Sequence, residues 1–184
     1  MRIGLAVSAM MLAAASPLAA KPSSALDYVG QCVPFARLVS GIQIFGDAWT
    51  WWSAADGRYA KGGSPRIGAV LVFRQTARMR FGHVAVVSRI IDDRVVMVTH
   101  ANWSRIGGKR GQAEQDVTMT DVSRAGDWSE VKVWYRDNDG LGGGSYPTYG
   151  FIYGEQLGGG RVRAHRELTS AAPDYVGSLI DAYR

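Results

Sequence analysis

The sequence predicts an α+β domain whose N-terminal helices pack on one antiparallel sheet. Apolar residues recur at helical spacing between 31 and 42. From residue 69 onward, five short runs rich in β-branched and aromatic residues follow one another. Two of these runs are joined by only DD at 92–93, a hairpin connection. Helices first and a meander of strands afterwards fit helices laid against one face of a sheet.

At 184 residues the chain has room for one domain plus extensions. With 47% hydrophobic and 20% charged residues it has the composition of a folded protein and not of a disordered one. Residues 1–20, MRIGLAVSAMMLAAASPLAA, carry a single charge at Arg2, then an apolar stretch, then small residues around Ala19 and Ala20. This is the layout of a secretory signal, so export to the periplasm or the extracellular cell wall is expected. An N-terminal anchor is the alternative, but the apolar run is short for a bilayer. After signal cleavage no stable membrane anchor is expected.

The first helix is expected over 31–42, with Pro34 tolerated in its first turn and Gly41 and Gly46 breaking the pattern. A second short helix is expected over DAWTWWSAADG, 47–57, between Asp47 and Gly57. Strands are expected at 69–73, 83–91, 94–103, 116–122 and 129–135. These bound one folded domain at 21–137. Residues 138–184 read as a Gly-rich linker and tail, with a short amphipathic helix at the C-terminal end.

The formal net charge is +5, or +4 without Arg2, and the excess is local. Arg58, Lys61, Arg66, Arg74, Arg78, Arg80 and Arg89 fall between Asp56 and Asp92 with no acidic residue among them. Such a run favours an anionic partner or is simply a solvated face. By charge alone that partner is a cell-wall polymer, nucleic acid or a membrane surface. An activating protein partner stays open.

Export also changes how Cys32, the only cysteine, is read. Exported proteins use cysteines mainly in disulfides, so a lone one is a packing residue, an intermolecular link or a reactive thiol. Cys32 stands at the start of the 31–42 helix, where unpaired N–H groups and the helix dipole favour a thiolate and an oxyanion. A depressed thiol pKa is therefore expected. His83, His100 and His165 are the candidate bases. With the turn at Asp92–Asp93, His83 lies opposite Asn102, and His100 lies diagonal to it on the same face. That arrangement suits a Cys32–His83–Asn102 site in which the amide fixes the imidazole tautomer. A metal held by His83 and His100 is the alternative, but without further ligands these make a poor zinc site. No cofactor or metal is required.

GQCVPFAR, PRIGAVLVF, GHVAVVSRI and HANW, in this order and spacing, resemble the CHAP family of cysteine- and histidine-dependent amidohydrolases and peptidases over about residues 26–135. The resemblance implies a papain-like α+β fold with no disulfide or metal, Cys32 as nucleophile and His83 as base. The third catalytic residue is then expected on the HANW strand. His100 occupies a position where many relatives carry a carboxylate, which leaves the orienting role to Asn102 with His100 as an assistant. Gln31, Val33 and Trp103 are candidates to contact substrate or oxyanion, and Trp103 also to shield the imidazole. Trp49, Trp51 and Trp52 are read as core, with the alternative that one of them lines the cleft.

The function the resemblance implies, taken with export and basic charge, is a secreted cysteine hydrolase of peptidoglycan, an N-acetylmuramoyl-L-alanine amidase or an endopeptidase working through a thioester. Peptidoglycan or another anionic cell-envelope polymer is then the expected partner, and no nucleic acid. An amidase for a smaller amide conjugate and a catalytically vestigial wall-binding module are the alternatives.

Overall fold

Val70–Phe73 is buried at all four positions, so both faces of this strand are covered. Val70 and Val72 turn to one hydrophobic cluster, while Leu71 and Phe73 turn to another. That alternation organises the molecule into two cores on the two sides of one sheet. A computed structural model describes residues 25–156. The expected signal at 1–20, His165 and the expected C-terminal helix lie outside the described residues.

The elements run α1 Cys32–Ser40, α2 Trp51–Ala54, β1 Tyr59–Gly62, β2 Val70–Phe73, β3 His83–Ile90, β4 Val95–Ala101, β5 Ala113–Asp121, β6 Glu130–Tyr135, β7 Gly140–Leu141 and β8 Tyr146–Gln156. Among the described residues all strand pairings are antiparallel, in the order β1-β8-β2-β3-β4-β5-β6-β7. The start of β8 also pairs with β6, at Glu130 to Pro147 and Val131 to Tyr146. Strands β2 to β6 and β8 therefore close into a ring. Its interior is filled by Leu71, Phe73, Ala85, Val98, Met119, Val133 and Phe151. Outside it, Phe35, Ala36 and Val39 of α1 pack with Val84, Val86, Trp51 and Ile152. The fold is α+β with few helices and an antiparallel sheet.

Three boundaries differ from the sequence expectation. The domain does not stop at 137, because β8 from the expected 138–184 linker is inserted between β1 and β2. Its sequence, YPTYGFIYGEQ, carries a proline and glycines, but Phe151 and Ile152 are fully buried on opposite faces. The expected second helix contracts to a 3₁₀ turn at Ala48–Thr50 followed by one α-helical turn. Of its tryptophans only Trp51 is fully buried; Trp52 stacks on Tyr149 and is half-buried, as is Trp49. Strand β5 begins three residues earlier than expected, at Ala113.

The β3–β4 hairpin register is the feature that matters most for the site. Val86 pairs with Thr99 and Val87 with Val98, which continues toward His83 opposite 102 as the two-residue turn required. The turn itself is longer: Ile91 and Asp92 N–H both donate to the Val95 carbonyl, and Asp92 Oδ1 accepts from Arg94 and Val95. A bulge between Val87 and Arg89 absorbs the one-residue offset.

Candidate active site

Cys32 opens α1, and the residues before it are tied to the start of β5. Gly30 N–H donates to Gly111 O at 2.7 Å, Ala113 N–H to Tyr28 O at 3.2 Å, and Val29 bridges Gln112. Tyr28 Oη donates to the Gln31 carbonyl at 2.9 Å, and its ring leans over Gly30, where a Cβ would stand 2.4 Å from the hydroxyl. The entry into α1 is thereby fixed from both sides. Because Pro34 has no N–H, the free donors of the first helical turn are those of Cys32 and Val33.

His83 opens β3 directly after Gly82, which has φ +66°. A Cβ on Gly82 would meet Trp49 N at 2.8 Å and Phe73 O at 2.9 Å, so glycine lets β3 start this close to β2. Phe73 is the register partner of His83, and the two rings meet edge to face at 5.3 Å.

His83 and His100 are both buried, and Nε2 of the first lies 3.1 Å from Nδ1 of the second. Trp103 covers both, its ring centroid 4.8 Å from His83 and 5.6 Å from His100. Burial is the main reason that both rings hold protons poorly. It pushes His100 down to about 3. His83 also lies well below the usual histidine range, with His100 and the Arg110 charge adding to the effect. Both imidazoles are neutral near pH 7.

The thiol differs from the sequence expectation. Burial raises the pKa of Cys32, and the N–H groups of Val84, Val33 and Cys32 itself pull it back only in part. The helix start acts in the expected direction, but desolvation by burial is larger. The resting pair is therefore thiol and imidazole, not thiolate and imidazolium.

Asn102 does not reach His83. It has φ +66°, so β4 ends at Ala101 and the strand alternation that would aim its side chain at His83 is broken. Its Nδ2 donates instead to Gln31 Oε1 at 2.8 Å, and its backbone N–H to Gln112 O. His100, expected only as an assistant, is the side chain hydrogen-bonded to His83. The amide of Gln31 is oriented by Asn102 with its NH₂ group left to donate.

Gln31, Cys32, Val33, His83, Asn102 and Trp103 line one cleft of about 600 Å³, so the candidate residues apart from His100 meet there. His100 lies behind His83. Arg78, Met79, Trp103 and Arg110 are shared with an adjoining hollow of about 540 Å³ that runs to Tyr135 and Tyr146. The basic run 58–89 is not one free face. Lys61 pairs with Asp56, Arg89 with Asp116 at 3.2 Å, and Arg74 lies over the Tyr149 ring. Exposed Arg78 and Arg80 line the cleft, joined by Arg110 from outside that run.

One buried residue of this region was missed from sequence. Glu114 is the register partner of His100 on β5 and is 2% exposed. The signal is its position in the ladder, which appears only when β5 is started at 113.

No curated protein matches the chain. Residues 23–102 match the family model of the CHAP domain, a segment that contains Gln31, Cys32, Val33, His83, His100 and Asn102. Trp103 lies one residue beyond that segment and Glu114 on the next strand. The cysteine at a helix start and the histidine at the head of a buried strand thus both fall within the segment that matches the CHAP domain.

Proposed function

We propose that this protein is an exported cysteine hydrolase that cuts amide bonds in peptidoglycan, with a papain-like order of nucleophile helix and base-bearing strand. The observation that carries the reading is the convergence of Cys32 at the start of α1 with His83 in one cleft, backed by the 3.1 Å His83–His100 hydrogen bond.

His83 takes the proton of Cys32 Sγ as the sulfur attacks the amide carbon. Since the resting thiol is neutral, proton transfer and attack are coupled, and charge forms only as the carbonyl oxygen becomes an oxyanion. The N–H groups of Cys32 and Val33 and the amide of Gln31 are the donors available to that oxygen. The His83 imidazolium then gives its proton to the departing amine, leaving a thioester on Cys32. Water attacks the thioester, His83 accepts its proton, and the sulfur leaves to be reprotonated. His100 acts as the acceptor that keeps the His83 Nε2 proton in place.

The anionic, amide-rich wall suits Arg78, Arg80 and Arg110 at the mouth, and the aromatic rings of Trp103 and Tyr146 suit its sugar-peptide units. Digestion of purified sacculi followed by mass spectrometry of the new ends tests the reading. New free amino groups on L-alanine identify an amidase, and new ends within the stem or cross-bridge an endopeptidase. Intact sacculi after prolonged digestion would refute the proposal.

A further inference from the structure

The string of buried polar groups does not end at His100. Glu114 stands opposite His100 in the β4–β5 ladder, so both side chains leave the sheet on one face. Glu114 Oε1 accepts the Ser104 N–H at 2.8 Å and lies 3.9 Å from His100 Nε2. Among the described residues, His100 Nε2 and Glu114 Oε2 are both buried without a hydrogen-bond partner. Two complementary groups left unmade side by side in a dry site are costly, and a shift of about an ångström joins the ring and the carboxyl group.

We propose that Glu114 is the positioning residue of this site, accepting the Nε2–H of His100 and thereby fixing the tautomers of both histidines. The proposal rests on the reading of Cys32 as nucleophile and His83 as base. With its proton on Nε2, His100 presents Nδ1 as an acceptor. His83 must then carry its own proton on Nε2, where the 3.1 Å contact lies. That leaves Nδ1 of His83 as the basic nitrogen that takes the thiol proton. No proton moves to Glu114 at any step. The carboxylate is thus supplied one strand further out than a direct Cys–His–carboxylate site would place it, with His100 as the link. The charged groups facing the string are Arg136, whose Nε is 4.0 Å from Glu114 Oε2, and Arg110, whose charge acts on His83. Both are cationic, so the carboxylate also offsets their effect on the imidazolium formed in turnover.

The ring tautomers are read directly by long-range ¹H–¹⁵N correlation on the ¹⁵N-labelled protein at neutral pH. Wild type should show the Nε2–H form at both His83 and His100. An Nδ1–H form at His100 would overturn the proposal. Glu114→Gln keeps the shape and the bond to Ser104 but removes the charge. It should give mixed tautomers at His100 and a kcat lower by about tenfold at unchanged KM. A folded Glu114→Gln protein with native tautomers and native kcat would overturn the assignment. If that variant does not fold, the wild-type spectrum decides alone. Failure of the wild type to cut sacculi would refute the hydrolase reading instead, and the tautomers, measured without substrate, would still decide the role of Glu114.

Discussion

Lowering the pH from 7.5 to 5.0 should destabilise this fold through its buried histidines before any carboxylate of ordinary pKa is protonated. His100 is 1% exposed and takes a proton only near pH 3 when folded, whereas in the unfolded chain it does so near 6.5. The unfolded state therefore binds more protons throughout the interval, and stability falls as pH falls. At pH 5.0 the unfolded ring is almost fully protonated and the folded ring is not. The linkage is worth about 2 kcal/mol from His100 alone. His83, also held well below the ordinary value by burial, adds in the same direction. Against a typical total of about 5–15 kcal/mol this is a large change. Urea unfolding followed by the fluorescence of buried Trp51 and Trp128 measures it at the two pH values. A His100→Gln protein, which has lost one of the two rings, should lose about 2 kcal/mol less over the same interval. Equal stability at pH 7.5 and 5.0, or an unchanged slope in the variant, would refute the description of these rings as neutral and dry.

His100→Leu keeps most of the buried volume but leaves the His83 Nε2–H without an acceptor, so kcat should fall by about 100-fold with little change in KM. His100→Gln, which can still accept that bond, should retain clearly more, and steady-state kinetics on soluble wall fragments compare the two. Asn102→Ala frees Gln31 and should cost less kcat than His100→Leu; the reverse order would return the orienting role to Asn102. Replacing Arg78 and Arg110 together by Ser should raise KM on anionic wall substrate much more than it lowers kcat. That difference should shrink as ionic strength rises, because exposed charges are screened.

The sequence expectation succeeded where one residue type and one local rule sufficed. Cys32 at a helix start followed from the 31–42 periodicity, and strands β2, β3, β4 and β6 followed from short runs rich in β-branched and aromatic residues. The hairpin register came out right near His83 because two departures cancelled: a turn longer than two residues and a bulge after Val87. Conformations set by tertiary context were not legible. Asn102 takes a positive φ, which asparagine tolerates, and this rotates its side chain away from the imidazole and toward Gln31. Asp116, at φ +53°, likewise breaks the alternation within β5 and hides Glu114 from it. Strand β8 was lost because its proline and glycines mimic a linker, although its partners β1 and β2 lie far away in sequence. The direction of the Cys32 shift was missed for the same reason. Helix polarity is local and visible in sequence, but the burial that outweighs it comes from the packed fold.

The rate at which a Cys32→Ala protein digests purified sacculi tests the central claim most directly, since Cys32 is only partly exposed and its replacement removes little packing volume. The substitution should leave the unfolding transition close to wild type and abolish the release of wall fragments, with chelators leaving wild-type hydrolysis intact. Fragment release by folded Cys32→Ala at the wild-type rate would contradict nucleophilic catalysis by this thiol, and with it the account of the site.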